Sequence, residues 1–301
     1  MNILRHPIYN FANLLTVFNL MLGFFSIICA LNGKLDWSCY ALFIAMTCDF
    51  LDGFVARLLG VNGDFGKQLD SLADIVSFGI APGMLMFVMI IIGIDMEGLG
   101  QIIQNDQNCS ISANQFAQIK IQEWSDVFFY HPKDNFIMNN PCLYGINQNP
   151  YDASIKYLPF ISLIIPIFSI LRLAKFNVDE NQKDSFVGVP TPMSTFFFTF
   201  FPIYFVFHFT EFTSNSSFIF TLFDCYSLSA ISIFVALLMM APITLIALKF
   251  KSLKINENVF RYSLVGLSLI SIPIFKLWSI PFILILYLGL SIVQRLINSK
   301  E

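Results

Sequence analysis

Long apolar runs dominate this chain and decide which solvent it can fold in. They lie at roughly 11–31, 37–60, 69–94, 157–178, 190–212, 227–249, 262–277 and 279–297. About 20 such residues in a helix cross the hydrocarbon of a bilayer. The last two runs are short and separated only by Lys276 to Trp278, which predicts a tight helical hairpin. Of all residues 56% are hydrophobic and 12% charged, about half the charge of a soluble protein. The sequence therefore predicts an all-α polytopic membrane protein with about eight transmembrane helices, six or seven being the alternatives. The net charge of −3 carries no basic excess and argues against a nucleic-acid partner.

Orientation follows from lysine and arginine, which concentrate on cytoplasmic loops. With the N-terminus inside and eight spans threaded, twelve of the 17 Lys and Arg fall on the cytoplasmic side. Both termini, Asp49–Asp74, Arg172–Lys183 and the basic loop Lys249–Arg261 share that face. Three regions result: 1–94 with the first three spans, a polar non-cytoplasmic insertion at 95–156, and 157–301 with the remaining spans. The insertion is rich in Asn and Gln and predicts a small cap or a partly ordered loop. It holds Cys109 and Cys142, which can pair in an oxidising compartment, and Asn108-Cys109-Ser110, a glycosylation-type tripeptide. No cleavage site follows the first apolar run, so it is kept as a span.

One stretch breaks the apolar pattern: DFLDGFVARLLGVNGDFGKQLDSLAD, residues 49–74. Asp49, Asp52 and Ala56 share one helical face, and Asp70 and Asp74 share another, with a Gly60 to Gly63 turn between. Two antiparallel helices thus bring four carboxylates together near one membrane surface. Four close carboxylates cannot all ionise without compensation, and an ionisable group at membrane depth marks function by default. All-oxygen ligands select hard cations such as Mg²⁺, Mn²⁺ or Ca²⁺. Two such ions suit displacement at phosphorus. Gly53, Ala56 and Gly66 leave room for a bulky ligand such as a nucleotide, or for tight helix packing. Asp64 lies apart and reads equally well as a solvated loop residue.

The pattern D-x2-D-G-x2-A-R-x8-G-x3-D-x3-D, filled by Asp49, Asp52, Gly53, Ala56, Arg57, Gly66, Asp70 and Asp74, resembles the signature of the CDP-alcohol phosphatidyltransferase family. The resemblance implies that family's multi-helix membrane fold over most of the chain outside 95–156. It also implies two divalent ions, Mg²⁺ or Mn²⁺, held by Asp49, Asp52, Asp70 and Asp74, with Asp74 also the general base. Asp49, Gly53, Ala56, Arg57 and Gly66 would contact the nucleotide, and a homodimer would be in keeping with the family.

Two further stretches, Ser71–Gly83 and Ile170–Pro192, resemble the phosphatidylserine-forming, integral-membrane branch of the family. That likeness implies CDP-diacylglycerol as donor, L-serine as acceptor and CMP as leaving group. Arg172 and Lys175 would take the acceptor carboxylate or a lipid phosphate, with Asn177 and Thr191 adding hydrogen bonds; the positive-inside bias alone would also place both cations there. The alternatives are a family member using glycerol phosphate or inositol phosphate and, remotely, a divalent-cation transporter. Transport requires acidic residues along several spans, whereas these four lie near one face. His131-Pro132-Lys133 begins an HxKxxxxD phospholipase-type pattern, but Met138 occupies the place of its aspartate. A bacterial-type cell membrane, with the site at its cytoplasmic face, is the expected location.

Overall fold

The structure is a computed structural model and describes residues 10–61, 63–96, 99, 111–129, 155–178, 186–212, 217–246 and 258–298. Cys109, Cys142, Lys183 and the Asn108 tripeptide lie outside these residues.

Helix α1 (Phe11–Leu31) starts where the Asn10 side chain accepts a 2.8 Å hydrogen bond from the Asn13 N–H, satisfying one of the orphan donors of a helix start. Helix α2 (Leu35–Leu59) ends at Gly60, whose φ of +67° forms the left-handed cap that glycine favours. Ser26 and Ser38 join the two helices by a buried 2.7 Å hydrogen bond. Residues Asp64–Gly93 then form one 30-residue helix in three parts: α3 (Asp64–Ile75), a π-helical turn (Val76–Ile80) and α4 (Ala81–Gly93). It starts five residues before the span the sequence predicts, because the amphipathic first turns of α3 face the site rather than lipid.

The π turn shifts the register between α3 and α4, as such turns do beside functional sites. Here the Phe78 carbonyl accepts from Thr195 Oγ1 at 3.2 Å, and Ser77 Oγ donates to the Asn19 carbonyl at 2.9 Å. The turn is thereby pinned to α1 and to a later helix. In α4, every residue from Leu85 to Ile92 is buried. A helix apolar on all sides belongs at the centre of a bundle, and α4 is that centre.

Within the insertion, α5 (Ala113–Phe129) docks as a cap. Its Asn114 side chain accepts from the Leu35 N–H at 3.2 Å and donates to Asp36 at 2.8 Å, closing the start of α2 from outside the helix. Lys120 is fully buried and bonds Asp95 at 2.6 Å and Glu123 at 2.7 Å. Asp49 lies about 21 Å further along α2, at 1.5 Å per residue. The cap and the carboxylates therefore occupy opposite ends of the bundle.

A 3₁₀ segment (Ile155–Leu163) leads into α6 (Ile164–Val178). Then come α7 (Thr191–Phe198), α8 (Phe200–Phe207), α9 (Ser217–Phe223) and α10 (Cys225–Met240). Last are α11 (Val259–Phe275) and α12 (Ser279–Asn298), joined by a turn at Lys276 as the sequence predicts. The run predicted at 227–249 is helical only to Met240. Pro242 disfavours helical backbone at Ala241, which takes ψ 139°. The chain then forms a ladder absent from the sequence reading: β1 (Phe186–Val187) pairs antiparallel with β2 (Thr244–Leu245).

Among the described residues, four helical stretches are long and apolar enough to cross a membrane: 11–31, 64–93, 155–178 and 259–297, with shorter apolar helices at 191–207 and 225–240. On α1, Leu14, Phe18, Met21 and Phe24 point outward and are exposed, a surface suited to lipid. These helices make the chain a multi-pass integral membrane protein.

Candidate metal centre and nucleotide groove

Of the four carboxylates predicted to converge, three meet and Asp52 is not among them. Asp49 on α2 and Asp70 and Asp74 on α3 each place an oxygen within 4.8 Å of the others. Asp74 is buried, and Asp70 Oδ1 is buried without a hydrogen-bond partner among the described residues. Three carboxylates this close, one with an orphaned oxygen, form an all-oxygen donor set that fits a hard divalent cation. Asp52 stands beside this group, one turn along α2 from Asp49. It is 5% exposed, and its Oδ2 accepts a 2.6 Å hydrogen bond from Thr16.

A groove of about 380 Å³ opens next to the carboxylates, a size suited to a small ligand. Gly53, Ala56, Arg57 and Gly66 line it together with Asp52, Asp64, Lys67 and Asp70. A Cβ at Gly53 would meet nothing nearer than Arg57 at 3.9 Å, and one at Gly66 would stand 3.3 Å from Asn13 Oδ1. The volume free at Gly53 therefore belongs to the groove, whereas Gly66 also lets α3 approach Asn13 of α1 closely. Asp64, ambiguous in sequence, lies on the groove wall.

The first helix is the part that sequence reasoning missed. From the capping Asn10 into α1, Asn10, Asn13, Thr16 and Asn19 recur every third residue, and all four are buried. Ala12, Asn13 and Thr16 line the groove. Thr16 holds Asp52, and Asn19 Nδ2 donates to Asp74 Oδ1 at 3.4 Å. The signal was available: a polar stripe at helical spacing inside an apolar run.

The residues expected around the acceptor divide into three places. Arg172 is 7% exposed, and its Nε has no hydrogen-bond partner among the described residues. It lies close enough to Asp74 and Tyr287 to interact electrostatically with both. Arg172 and Lys175 line a narrow crevice with Phe176, Val187, Met239 and Met240. Asn177 instead clasps α6 to α3: its side chain donates to Ser71 at 2.8 Å, and its carbonyl accepts from Lys67 at 3.4 Å. Thr191 begins α7, buried, with its hydroxyl lacking a partner among the described residues.

Comparison with known proteins agrees with this geometry. Residues 9–96 match the profile of the CDP-alcohol phosphatidyltransferase family. The chain is similar to a CDP-diacylglycerol–serine O-phosphatidyltransferase of Helicobacter pylori (strain J99), 26% identical over 189 residues, which are 62% of this chain and 54% of the relative. A Bacillus subtilis (strain 168) protein of the same name is 24% identical over 185 residues, 60% of this chain and 68% of that one. An archaetidylserine synthase of Methanothermobacter thermautotrophicus is 41% identical over 78 residues, 25% of this chain and 33% of the relative. The chain spans about half the length of the Helicobacter pylori relatives it matches.

Proposed function

We propose that this protein transfers the phosphatidyl group of CDP-diacylglycerol to L-serine, giving phosphatidylserine and CMP. The observation that carries the reading is the Asp49–Asp70–Asp74 cluster at the end of the groove lined by Gly53, Ala56, Arg57 and Gly66. Serine as the acceptor is supported by the buried Arg172, whose Nε lacks a hydrogen-bond partner among the described residues and which interacts electrostatically with Asp74, and by relatives named for serine transfer.

Asp49, Asp52, Asp70 and Asp74 would hold a pair of divalent ions, Mg²⁺ or Mn²⁺, which when bound supply neutralising charge to the diphosphate. Gly53, Ala56 and Gly66 admit the cytidine nucleotide, and Arg57 donates to its phosphates. Arg172 and Lys175 hold the serine carboxylate, orienting the hydroxyl. Thr191 supplies a further hydrogen bond, and Asn177 keeps α6 in place against α3. Asp74 accepts the hydroxyl proton as the serine oxygen attacks the phosphorus bearing diacylglycerol. The bond from that phosphorus to the CMP oxygen breaks, and CMP leaves with the electron pair. No covalent enzyme intermediate is needed, so the transfer is a direct displacement. Eight spans, 1–94 and 157–301 framing the 95–156 cap, put this site at the cytoplasmic face.

The test is CMP release by the purified protein supplied with CDP-diacylglycerol, Mg²⁺ or Mn²⁺, and serine, glycerol phosphate or inositol phosphate. Serine-dependent release is expected; release with another alcohol and none with serine refutes the acceptor assignment.

A further inference from the structure

Ile246 follows β2 in an apolar setting where a strand-end residue has few backbone partners. Its carbonyl accepts from Tyr287 Oη at 3.0 Å, and its N–H donates to Ser291 Oγ at 3.2 Å. Tyr287 and Ser291 are one turn apart on α12, 3% and 2% exposed. An unpaired backbone group here would carry its full desolvation cost. Two side chains of the last helix remove that cost for both polar groups of a single residue.

The clamp reaches the Arg172 crevice by a short path. β2 pairs with β1 through Phe186↔Leu245 and Val187↔Thr244. Just beyond β1, the Gly188 N–H donates to the Ile243 carbonyl at 2.9 Å, and the Val189 N–H to the Leu238 carbonyl at 3.1 Å. Gly188 has φ +80°, and a Cβ there would stand 2.0 Å from the Met239 carbonyl oxygen. This strap therefore packs directly against the end of α10. Val187 from the strap lines the crevice together with Met239, Met240, Arg172 and Lys175. Val189, Leu245, Ile246, Leu264, Leu284 and Tyr287 form a core of their own, apart from the main one. The nucleotide groove, by contrast, is lined only by residues 12–70.

We infer that Tyr287 is a positioning residue for the acceptor subsite: its hydroxyl, with that of Ser291, fixes the β1–β2 strap and so the width of the crevice at Arg172. The inference rests on the proposal that Arg172 takes the acceptor's anionic group. It assigns α12, remote in sequence from the family segment, a role in selecting a small acceptor.

The test uses the full chain in lipid nanodiscs, with CMP release measured while serine and CDP-diacylglycerol are varied in turn. Tyr287→Phe keeps the ring and removes the hydrogen bond. Its KM for serine is expected to rise about 3- to 10-fold, the worth of one buried hydrogen bond, with KM for CDP-diacylglycerol unchanged. Ser291→Ala, which acts on the other polar group of Ile246, should shift KM in the same direction. Both KM values rising together, or neither moving in either variant, overturns the inference. Arg172→Lys separates the two claims. If it raises KM for serine and neither Tyr287→Phe nor Ser291→Ala does, the clamp fails and the acceptor site stands. If it leaves KM for serine unchanged, the acceptor site fails, and the inference with it.

Discussion

Thr16 on α1 donates a 2.6 Å hydrogen bond to Asp52 Oδ2 on α2, across 36 residues of sequence. The contact ties the groove to the carboxylate cluster, since Asp52 belongs to both neighbourhoods. Thr16→Val keeps the shape and removes the donor. A buried hydrogen bond to a charged group contributes about 1.5–3 kcal/mol. kcat/KM for CDP-diacylglycerol should fall roughly 10- to 100-fold by the same arithmetic, and Thr16→Ser should restore most of it. Equal rates for Thr16→Val and the parent protein would show that Asp52 needs no such anchor.

Asp70 and Asp74 face the same centre, but their replacement should be distinguishable. Asp70→Asn removes a charged oxygen from the donor set. In protein stripped with a chelator and titrated with Mg²⁺, the half-saturating concentration should rise by at least about tenfold, no less than for loss of an outer-sphere partner. An unchanged Mg²⁺ dependence would remove Asp70 from the set.

Asp74→Asn should cost turnover, on the order of 100-fold or more for loss of a general base, while binding of CDP-diacylglycerol stays within a few-fold of the parent. Calorimetric titration with the lipid donor, run beside CMP release, checks both. Binding lost together with turnover would make Asp74 a metal ligand first.

The parts legible in sequence were those with local periodicity. Asp49 and Asp52 three apart, and Asp70 and Asp74 four apart, fix a helical face each, and the apolar runs fix where helices lie. Contacts between distant segments left weaker traces. Thr16 and Asn19 read as ordinary polar residues in a span until the fold sets them against Asp52 and Asp74. Asn177 reads as an acceptor ligand, yet its side chain is engaged by Ser71. The β1–β2 ladder has two residues per strand, too short for any alternation to register. The π turn at Val76–Ile80 has no signature either, because a one-residue shift within the five residues VSFGI is too short to register as a period.

Two glycines should respond to substitution in opposite ways. Gly53→Ala places a methyl group beside the groove with nothing nearer than Arg57 at 3.9 Å, so KM for CDP-diacylglycerol should rise with little change in thermal midpoint. Gly188→Ala requires φ +80° of a residue with a Cβ and drives that atom into the Met239 carbonyl. The backbone term alone costs about 1–2 kcal/mol; the clash adds to it, so the yield of folded protein should drop. Thermal unfolding in detergent alongside steady-state kinetics tells the two apart, and a stable Gly188→Ala variant would contradict the geometry.

Lys120 tests whether the cap on the far end of the bundle is structural only. It is fully buried, with Asp95 at 2.6 Å and Glu123 at 2.7 Å. Lys120→Met leaves two carboxylates without the ammonium between them, and breaking a buried pair in this way costs about 3–5 kcal/mol. Removing all three charges together (Lys120→Met, Asp95→Asn, Glu123→Gln) should recover most of that loss, because no buried charge then lacks a counterpart. Asp49 lies about 21 Å from the start of α2 that this cap closes, so both KM values should hold for whatever fraction of the single variant remains folded. A thermal midpoint unmoved by Lys120→Met would show that the cluster is solvated. A change in either KM at unchanged stability would show that the cap communicates with the site along α2.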